Sequence, residues 1–323
     1  MKRAVIAGPL HPAGHALIEA RPDIAFDLVA EDDAGAIAAA LREADGLVLR
    51  VTPLTAEAIA AAPRLAVVSR YGVGYDNVDV AALTARGIAL AITGTANSAS
   101  VAEHAIGLMI ALLRRFPAMD RRVRQGRWRP REYAGQHDLA GKALLVVGFG
   151  RIGSRVTARA IAFDMRVIAA DPYLPAETVT AGGAAPVVDF REALGDADIV
   201  SLHLPALARG EALLGDAEFA RFRPGAYLIN TARGSLIDEP ALERALDDGR
   251  LAGAALDVFA SEPPDVASPL LARDDVIVTP HAAALTAECA ARMAEAAVRN
   301  LIDGLDGRLR PAFVVNPTVL ARP

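Results

Sequence analysis

An apolar run that breaks into three spaced glycines constrains the fold more than any other part of the chain. The run is followed directly by Gly148, Gly150 and Gly153 in the spacing G-x-G-x-x-G. In a nucleotide-binding sheet the first glycine permits a sharp turn, the second lets backbone approach a pyrophosphate, and the third lets the next helix pack closely. We predict a buried strand over 143–147 and a helix over 151–163 whose N-terminus faces the phosphates.

A carboxylate stands at the end of the next predicted strand. Residues 165–170 are apolar apart from Arg166, and Asp171 follows them. A carboxylate at this position can accept hydrogen bonds from both hydroxyls of an adenosine ribose and would repel a 2′-phosphate. The sequence therefore favours NAD over NADP as the cofactor.

Length and composition predict two ordinary globular domains. The chain has 323 residues, of which 53% are hydrophobic and 23% charged, so each domain can bury its own core. The formal net charge is −5, which favours neither nucleic acid nor an anionic membrane as a partner. Cys289 is the only cysteine, so an internal disulfide and a cysteine-rich zinc site are excluded, and a buried, inert thiol is expected.

Two apolar segments bear on location. The N-terminal segment has a basic start, but its apolar part is too short for a signal peptide and is typical of a first strand. The run Ala105–Leu113 is bracketed by His104 and Arg114 and is about half as long as a bilayer span. We expect a soluble, cytoplasmic protein with no membrane partner.

Strands alternate with helices along the whole chain, which predicts parallel sheets covered on both faces and an α/β fold. The predicted strands lie near 4–8, 25–29, 46–50, 65–69 and 88–92, then at 143–147, 166–170, 185–188, 198–202, 226–230, 252–256 and 276–279. Long helices are predicted over 98–116 and 284–304. We predict two doubly wound domains, with a nucleotide-binding domain at 98–285 inserted into a discontinuous substrate domain made of 1–97 and 286–323. A small substrate is expected in the cleft between them.

The basic stretch 121–131 includes Trp128 and has two interpretations. Basic residues interleaved with an aromatic side chain are found at nucleic-acid contacts, but they also occur on solvated or subunit-facing helices and loops. Because the chain is acidic overall and the patch is isolated, we favour the second interpretation.

Three predicted strands of the second half end at polar groups, namely Arg233, Glu262 and His281. Ligands of an open parallel sheet bind beyond the carboxyl ends of its strands, so these groups are expected to converge. Arginine can hold a carboxylate bidentately, histidine can give a proton near neutral pH, and a carboxylate can orient that histidine. Singly, each residue is more often a surface or structural one. Together they predict reduction of a 2-keto acid, with no metal, because hydride chemistry belongs to the nicotinamide.

The chain resembles the D-isomer-specific 2-hydroxyacid dehydrogenases, which include phosphoglycerate, glycerate and formate dehydrogenases. The resemblance is carried in order by segments 71–79, 101–104, 148–153, 203–205 and 230–234, by Asp257 with Glu262, and by 279–281. It implies a Rossmann-type NAD domain inserted into a flavodoxin-like substrate domain, and a homodimer with its contact in 98–131.

The resemblance also implies roles for individual residues. Arg233, Glu262 and His281 would form the catalytic set. Backbone at Val73 and Gly74 would hold the substrate carboxylate. The cofactor would be bound by the glycine loop with Arg151 and Ile152 at the pyrophosphate, by Asp171 at the ribose, by Asp257 at the nicotinamide amide, and by Val101, Leu204, Thr231 and Ala232 along its length.

The sequence does not decide whether the substrate carries a phosphate at the end distant from its carboxylate. Arg50 and Arg70 resemble positions that hold the distal phosphate in phosphoglycerate dehydrogenases, and two arginines suit a second anion. However, Val51 and Leu54 stand where those enzymes often carry serine and lysine.

Two functions follow from these residues. The first is an NAD-dependent dehydrogenase acting on a small anionic D-2-hydroxy acid or its 2-keto acid. The alternative is an NAD(H)-sensing interaction protein, like the corepressors that resemble the same family and retain the same three catalytic residues. The sequence favours the enzyme, because it contains no long segment of disordered composition.

Overall fold

The structure is a computed structural model in which contacts divide the chain into two units. It describes residues 1–129, 135–207 and 211–321. The first unit is built from both ends of the chain, residues 1–97 and 285–323, and the second is the continuous stretch 98–284.

The first unit contains a five-stranded parallel sheet. Its strands are β1 (Lys2–Ala7), β2 (Ile24–Val29), β3 (Gly46–Leu49), β4 (Val67–Arg70) and β5 (Ala89–Ile92). Its helices are α1 (Pro12–Glu19), α2 (Ala34–Leu41), α3 (Ala56–Ala60), α4 (Val80–Ala85) and α11 (Ala287–Leu305). The strand order is β2-β1-β3-β4-β5, the flavodoxin-like order, which reverses between β1 and β3. β3 is buried along its whole length, as a strand covered on both faces should be.

The second unit contains a seven-stranded parallel sheet. Its strands are β6 (Ala143–Val147), β7 (Arg166–Ala170), β8 (Ala185–Val187), β9 (Ile199–Leu202), β10 (Ala226–Asn230), β11 (Leu251–Leu256) and β12 (Val276–Val278). Its helices are α5 (Ser98–Leu113), α6 (Phe116–Arg124), α7 (Gly153–Ala162), α8 (Ala176–Ala181), α9 (Asp216–Phe219) and α10 (Glu239–Asp247). The order β12-β11-β10-β9-β6-β7-β8 is the Rossmann order extended by one strand, and it reverses between β6 and β9.

These two sheets confirm the predicted fold class, and every predicted strand is present within about two residues of its expected bounds. The predicted helix over 98–116 is the main difference, because it ends at Leu113 and α6 follows. Arg115 between them has a φ of 53°, in the left-handed region. Pro117 cannot donate to the carbonyl of Leu113, so a continuous helix would lose a hydrogen bond there.

Helix α11 begins three residues later than predicted, for a local reason. The Thr286 side chain accepts a hydrogen bond from the Cys289 amide at 3.1 Å and so caps the first turn. The Cys289 thiol is free and buried, which confirms the predicted burial. Among the described helices, none is long and apolar enough to cross a membrane.

The amphipathic helix α6 carries part of the basic stretch and has no buried residue. Its arginines form exposed ion pairs, Arg121 with Asp274 and Arg124 with Asp120. Phe116, Val123 and Trp128 are nonetheless exposed, Trp128 to 76%. Residues 130 and 131 of the predicted basic stretch lie outside the described part of the chain.

Candidate active site

The glycine loop leaves β6 in a conformation that requires two of its three glycines. Gly148 has a φ of 93°, and a Cβ placed on it would lie 2.5 Å from the carbonyl oxygen of His203. A Cβ on Gly153 would lie 2.0 Å from the carbonyl oxygen of Gly148. Backbone cannot yield at either point without moving the start of α7, so the fold itself demands these two glycines.

Gly150 is different, because nothing in the fold requires it. A Cβ on Gly150 would meet no described atom within 4 Å, and its φ lies outside the left-handed region. The residue is exposed at the carboxyl edge of the sheet, next to the N-terminus of α7. A bare backbone facing open space at this point fits the approach of a pyrophosphate.

Asp171 lies at the end of β7, against the glycine loop. Its Oδ2 accepts a hydrogen bond from the Phe149 amide at 2.9 Å, and its Oδ1 accepts one from the Tyr173 amide at 3.0 Å. The side chain is half-buried, and each carboxylate oxygen has a second lone pair. The carboxylate therefore orients the loop and can still accept hydrogen bonds from ribose hydroxyls.

The loop after β10 is shaped by a fully buried asparagine. Asn230 accepts a hydrogen bond from the Ala232 amide at 3.0 Å and donates one to the Arg233 carbonyl at 2.8 Å. These two bonds fix the backbone that follows Thr231. The half-buried Arg233 side chain donates to the Ala232 carbonyl at 2.6 Å, which holds the guanidinium close to its own loop.

Backbone packing joins this loop to the loop after β11. A Cβ on Gly234 would lie 1.8 Å from the carbonyl carbon of Phe259, so only glycine fits between the two chains. The Asp257 amide donates to the Asn230 carbonyl at 2.9 Å. Arg233 and Glu262 therefore stand on two loops in direct contact, as the sequence predicted for groups at neighbouring strand ends.

His281 and Glu262 form a hydrogen-bonded pair. The His281 Nδ1 lies 2.7 Å from Glu262 Oε2, and Glu262 Oε1 accepts from the Phe259 amide at 3.1 Å. A carboxylate can only accept, so Nδ1 is the protonated nitrogen and Nε2 is left for exchange with a ligand. The two side chains are 53% and 38% exposed, so Nε2 is accessible.

Asp257 organises the loop that carries His281. Its side chain is 1% exposed and accepts from Thr279 Oγ1 at 2.5 Å, from the Ala282 amide at 2.7 Å and from the Ala283 amide at 3.0 Å. Its carbonyl accepts from the His281 amide at 2.8 Å. His281 itself has a φ of 51°, a region that a histidine visits at a cost of about 1–2 kcal/mol. The aspartate therefore holds a strained histidine in place.

His203 is excluded as a proton donor, although it lies beside the glycine loop. Burial lowers its pKa to about 3, so the imidazole is neutral at physiological pH. Its Nε2 is 2.8 Å from Ser201 Oγ. We therefore take His203 as structural, which leaves the exposed His281 as the candidate proton donor.

The remaining predicted cofactor residues lie in the second unit. Val101, Thr231 and Ala232 are buried, Ile152 and Leu204 are partly buried, and Arg151 is exposed. Leu204 lies directly against the glycine loop, since its Cβ would be 3.3 Å from a Cβ on Gly148. Thr231 Oγ1 is buried with no partner among the described residues, so it is available to a ligand group.

The predicted substrate residues lie at the carboxyl edge of the first sheet. Arg50 follows β3 and Arg70 ends β4; Val73 and Gly74 follow in a partly exposed turn. Arg50 Nε donates to Glu31 Oε2 at 2.7 Å, and its guanidinium carbon lies 4.4 Å from the centre of the Tyr71 ring. Arg70 donates to the Tyr71 carbonyl at 2.7 Å.

Four residues at these sites were not singled out by sequence reasoning. Asn230 and Thr279 stand in segments 230–234 and 279–281 that carry the resemblance, and residue chemistry alone predicts no role for His104 or Glu31. His104 and Thr279 come from segments far apart in sequence, and Glu31 stands in an ordinary acidic run. Only the sequence V-A-E-H within the resemblance contained a signal for His104.

Comparisons with known proteins bear on the family of the chain. Residues 106–283 match the family model described as D-isomer specific 2-hydroxyacid dehydrogenase, NAD binding domain. The chain is 40% identical over 98% of its length to D-3-phosphoglycerate dehydrogenase 2, chloroplastic, of Arabidopsis thaliana, and covers 50% of that protein. More generally, it spans about half the length of the curated relatives it matches.

Two solved structures share the fold over nearly the full length of both chains. A glyoxylate reductase from Paecilomyes thermophila superposes with a TM-score of 0.89 at 31% identity, over 98% of this chain and 99% of that one. A D-lactate dehydrogenase from Aquifex aeolicus, complexed with NAD and lactic acid, gives a TM-score of 0.86 at 27% identity, over 97% and 99%.

Proposed function

The chain belongs to the D-isomer specific 2-hydroxyacid dehydrogenase family, and from this premise we propose that it is an NAD-dependent oxidoreductase. It would interconvert a small D-2-hydroxy acid and its 2-keto acid. The observation that carries the proposal is the hydrogen bond between His281 and Glu262, next to the loop of Arg233 at the carboxyl edge of the second sheet. Corepressors of the same fold retain this set as well, so turnover is the property that separates the two functions.

The residues of the second unit fit an NAD molecule. We assign the pyrophosphate to the glycine loop with Arg151 and Ile152, the adenosine ribose to Asp171, and the nicotinamide amide to Asp257. Val101, Leu204, Thr231 and Ala232 would line the rest of the cofactor. The open space at Gly150 and the unpartnered hydroxyl of Thr231 support this assignment. When bound, the nicotinamide supplies or accepts the hydride.

The catalytic set would handle the charge and the proton of the substrate. Arg233 would bind the carboxylate through its planar guanidinium. During reduction, the imidazolium of His281 would give its Nε2 proton to the carbonyl oxygen, and during oxidation neutral Nε2 would take the proton from the hydroxyl. Glu262 would hold Nδ1 protonated throughout, so the ring keeps Nε2 toward the substrate. Val73 and Gly74 would add backbone amides for the carboxylate.

The pairing of Arg50 supports a substrate without a distal phosphate. Its charge is matched by Glu31 at 2.7 Å, so the pair has no net charge to offer a phosphate dianion. A Cβ on Gly8 would lie 2.6 Å from Arg50 Cδ and 2.8 Å from Glu31 Oε2, which shows that the pair is packed into place. We propose that Arg50 and Arg70 contact the end of the substrate opposite its carboxylate. That end carries no charge in a substrate such as glyoxylate or hydroxypyruvate.

A substrate panel tests the proposed function. NADH oxidation would be followed with glyoxylate, hydroxypyruvate, pyruvate and phosphohydroxypyruvate, and repeated with NADPH. Turnover of an unphosphorylated 2-keto acid with a preference for NADH is expected. NADH binding without turnover of any of the four would refute the enzyme and favour the NAD(H)-sensing alternative.

We also propose that the protein is a cytoplasmic homodimer with no nucleic-acid or membrane partner. Phe116, Val123 and Trp128 lie on and after α6 and are exposed, which supports a protein contact there. Arg121 and Arg124 of the same helix already pair with acidic residues of this chain, so they do not favour nucleic acid as the partner. Light scattering would measure the mass in solution, and Val123→Glu with Trp128→Glu is expected to yield the monomer. A wild-type monomer at micromolar concentration would refute the dimer.

A further inference from the structure

A histidine of the long helix α5 lies next to the loop of His281. His104 Nε2 is 3.1 Å from Thr279 Oγ1 and 3.6 Å from Asp257 Oδ1. The imidazole is only about a quarter exposed, and Asp257 is almost fully buried. His104 therefore meets the aspartate that holds the backbone of His281, although it is distant from that loop in sequence.

The direction of these hydrogen bonds follows from the hydroxyl. Thr279 has one hydroxyl proton, and the 2.5 Å distance to Asp257 Oδ1 shows that the carboxylate receives it, because an ionised carboxylate cannot donate. The Thr279 oxygen is then an acceptor toward His104, and His104 Nε2 must carry the proton. The three groups form one directed chain that ends on a buried negative charge, and such chains strengthen each member.

The end of this chain sets the conformation of His281. Asp257 Oδ1 also accepts from the Ala282 amide, and Oδ2 accepts from the Ala283 amide. The Asp257 carbonyl accepts from the His281 amide. Three consecutive amides thus depend on the position of Asp257, and the first of them belongs to a residue in the left-handed region.

We infer that His104 is a positioning residue for His281, acting through Thr279 and Asp257. Its hydrogen-bond and ion-pair distances among the described residues are to Thr279 and Asp257, not to Glu262 or the imidazole of His281. Its Nε2–H keeps the Thr279 hydroxyl turned toward Asp257, and this orientation fixes the carboxylate that holds the three amides. As far as it concerns turnover, the inference rests on the proposed function; as far as it concerns the loop, it does not.

Two substitutions of His104 separate the effect of its Nε2–H donor from the effect of its imidazole ring. His104→Gln places an amide N–H where Nε2 stands, whereas the shorter His104→Asn cannot reach Thr279. Hydrogen exchange of the amides of residues 281–283 is expected to stay within about twofold of wild type in His104→Gln. In His104→Asn it should rise about tenfold, the equivalent of one lost hydrogen bond. Equal protection in both variants would overturn the inference, whether or not the protein is an enzyme.

Kinetics give a second readout. In His104→Asn we expect kcat to fall tenfold to a hundredfold, since small misplacement of a catalytic group has effects of this size, while KM for the 2-keto acid changes less than threefold. His104→Gln should restore kcat to within about threefold. Thr279 is the next group in the hydrogen-bond chain, and Thr279→Ser is the matched control because it keeps the hydroxyl. Thr279→Val removes the hydroxyl and should behave like His104→Asn. A fall in kcat with a rise in KM and a lower melting temperature, unrescued by glutamine, would show a merely structural role.

Discussion

The replacement of Gly150 by alanine separates what the fold needs from what a cofactor needs. The new methyl group would meet no described atom within 4 Å, and the backbone there is not left-handed. A glycine-to-alanine change at such a site reduces the entropy of the unfolded chain and stabilises by about 0.4–1 kcal/mol. We therefore expect Gly150→Ala to be at least as stable as wild type in urea.

Binding should respond in the opposite direction. If a pyrophosphate approaches the bare backbone, the methyl group occupies its space, and overpacking of this kind costs about 1–3 kcal/mol. That range corresponds to a dissociation constant for NADH that is raised about 5-fold to 150-fold. Titration of NADH fluorescence on the wild type and the variant measures this ratio directly.

Gly153→Ala is the matched comparison within the same loop. Its Cβ would lie 2.0 Å from the Gly148 carbonyl oxygen, so both stability and NADH binding should fall. Unchanged NADH affinity in Gly150→Ala would refute the assignment of the pyrophosphate to this loop. A loss of stability in the same variant would instead show that the fold requires the glycine for a reason that its contacts do not reveal.

Three further predictions follow from the other sites. His281→Ala should lower kcat about 100-fold or more, the usual contribution of a general acid, with unchanged NADH affinity; a rate within threefold of wild type would exclude the role. The pKa of His203 is about 3 in the fold against about 6.5 in an unfolded chain. As pH falls, the unfolded state therefore binds the proton first. The stability that the neutral, buried His203 contributes is complete above pH 6.5 and is lost as pH falls toward 3. Urea midpoints measured across that range should therefore fall less steeply in His203→Gln than in wild type. Glu31→Gln should raise the ratio of kcat/KM for phosphohydroxypyruvate over hydroxypyruvate by about fivefold, as one released charge pair permits. Asp32→Asn removes the neighbouring acidic charge and leaves the Arg50–Glu31 pair in place, so it should leave the ratio unchanged.

The fold could be predicted because its signals are local. A strand such as β3, buried on both faces, is an unbroken apolar run, and the alternation of such runs with helices implies parallel sheets. Glycine, proline and acidic residues in the loops separate these runs, so the ends of the strands can be predicted closely. The break after Leu113 is harder to predict, because a proline such as Pro117 is also tolerated in the first turn of a new helix and the left-handed conformation of Arg115 is visible only in the structure.

The electrostatic details of the candidate site could not be predicted in the same way. The sequence indicated Arg50 as a cation for a second anion, and the structure pairs it with Glu31, which lies after a different strand. Strand order brings β2 and β3 to either side of β1, and only that order makes the two side chains neighbours. A charge available in the sequence is thus already matched in the fold.

The same argument explains why the identity and the geometry of the candidate site residues have different sources in this chain. His281 and Glu262 could be named from residue chemistry at two strand ends, since few side chains can exchange a proton near neutral pH. Their alignment depends on Asp257, which is 1% exposed, and on a left-handed histidine conformation that costs about 1–2 kcal/mol. Asp257 accepts three hydrogen bonds from consecutive backbone amides of this loop, and at about 1 kcal/mol each these are enough to offset that cost. The effect of Asp257 on the loop of His281 therefore comes from hydrogen bonds within the chain, and it should be measurable without cofactor or substrate.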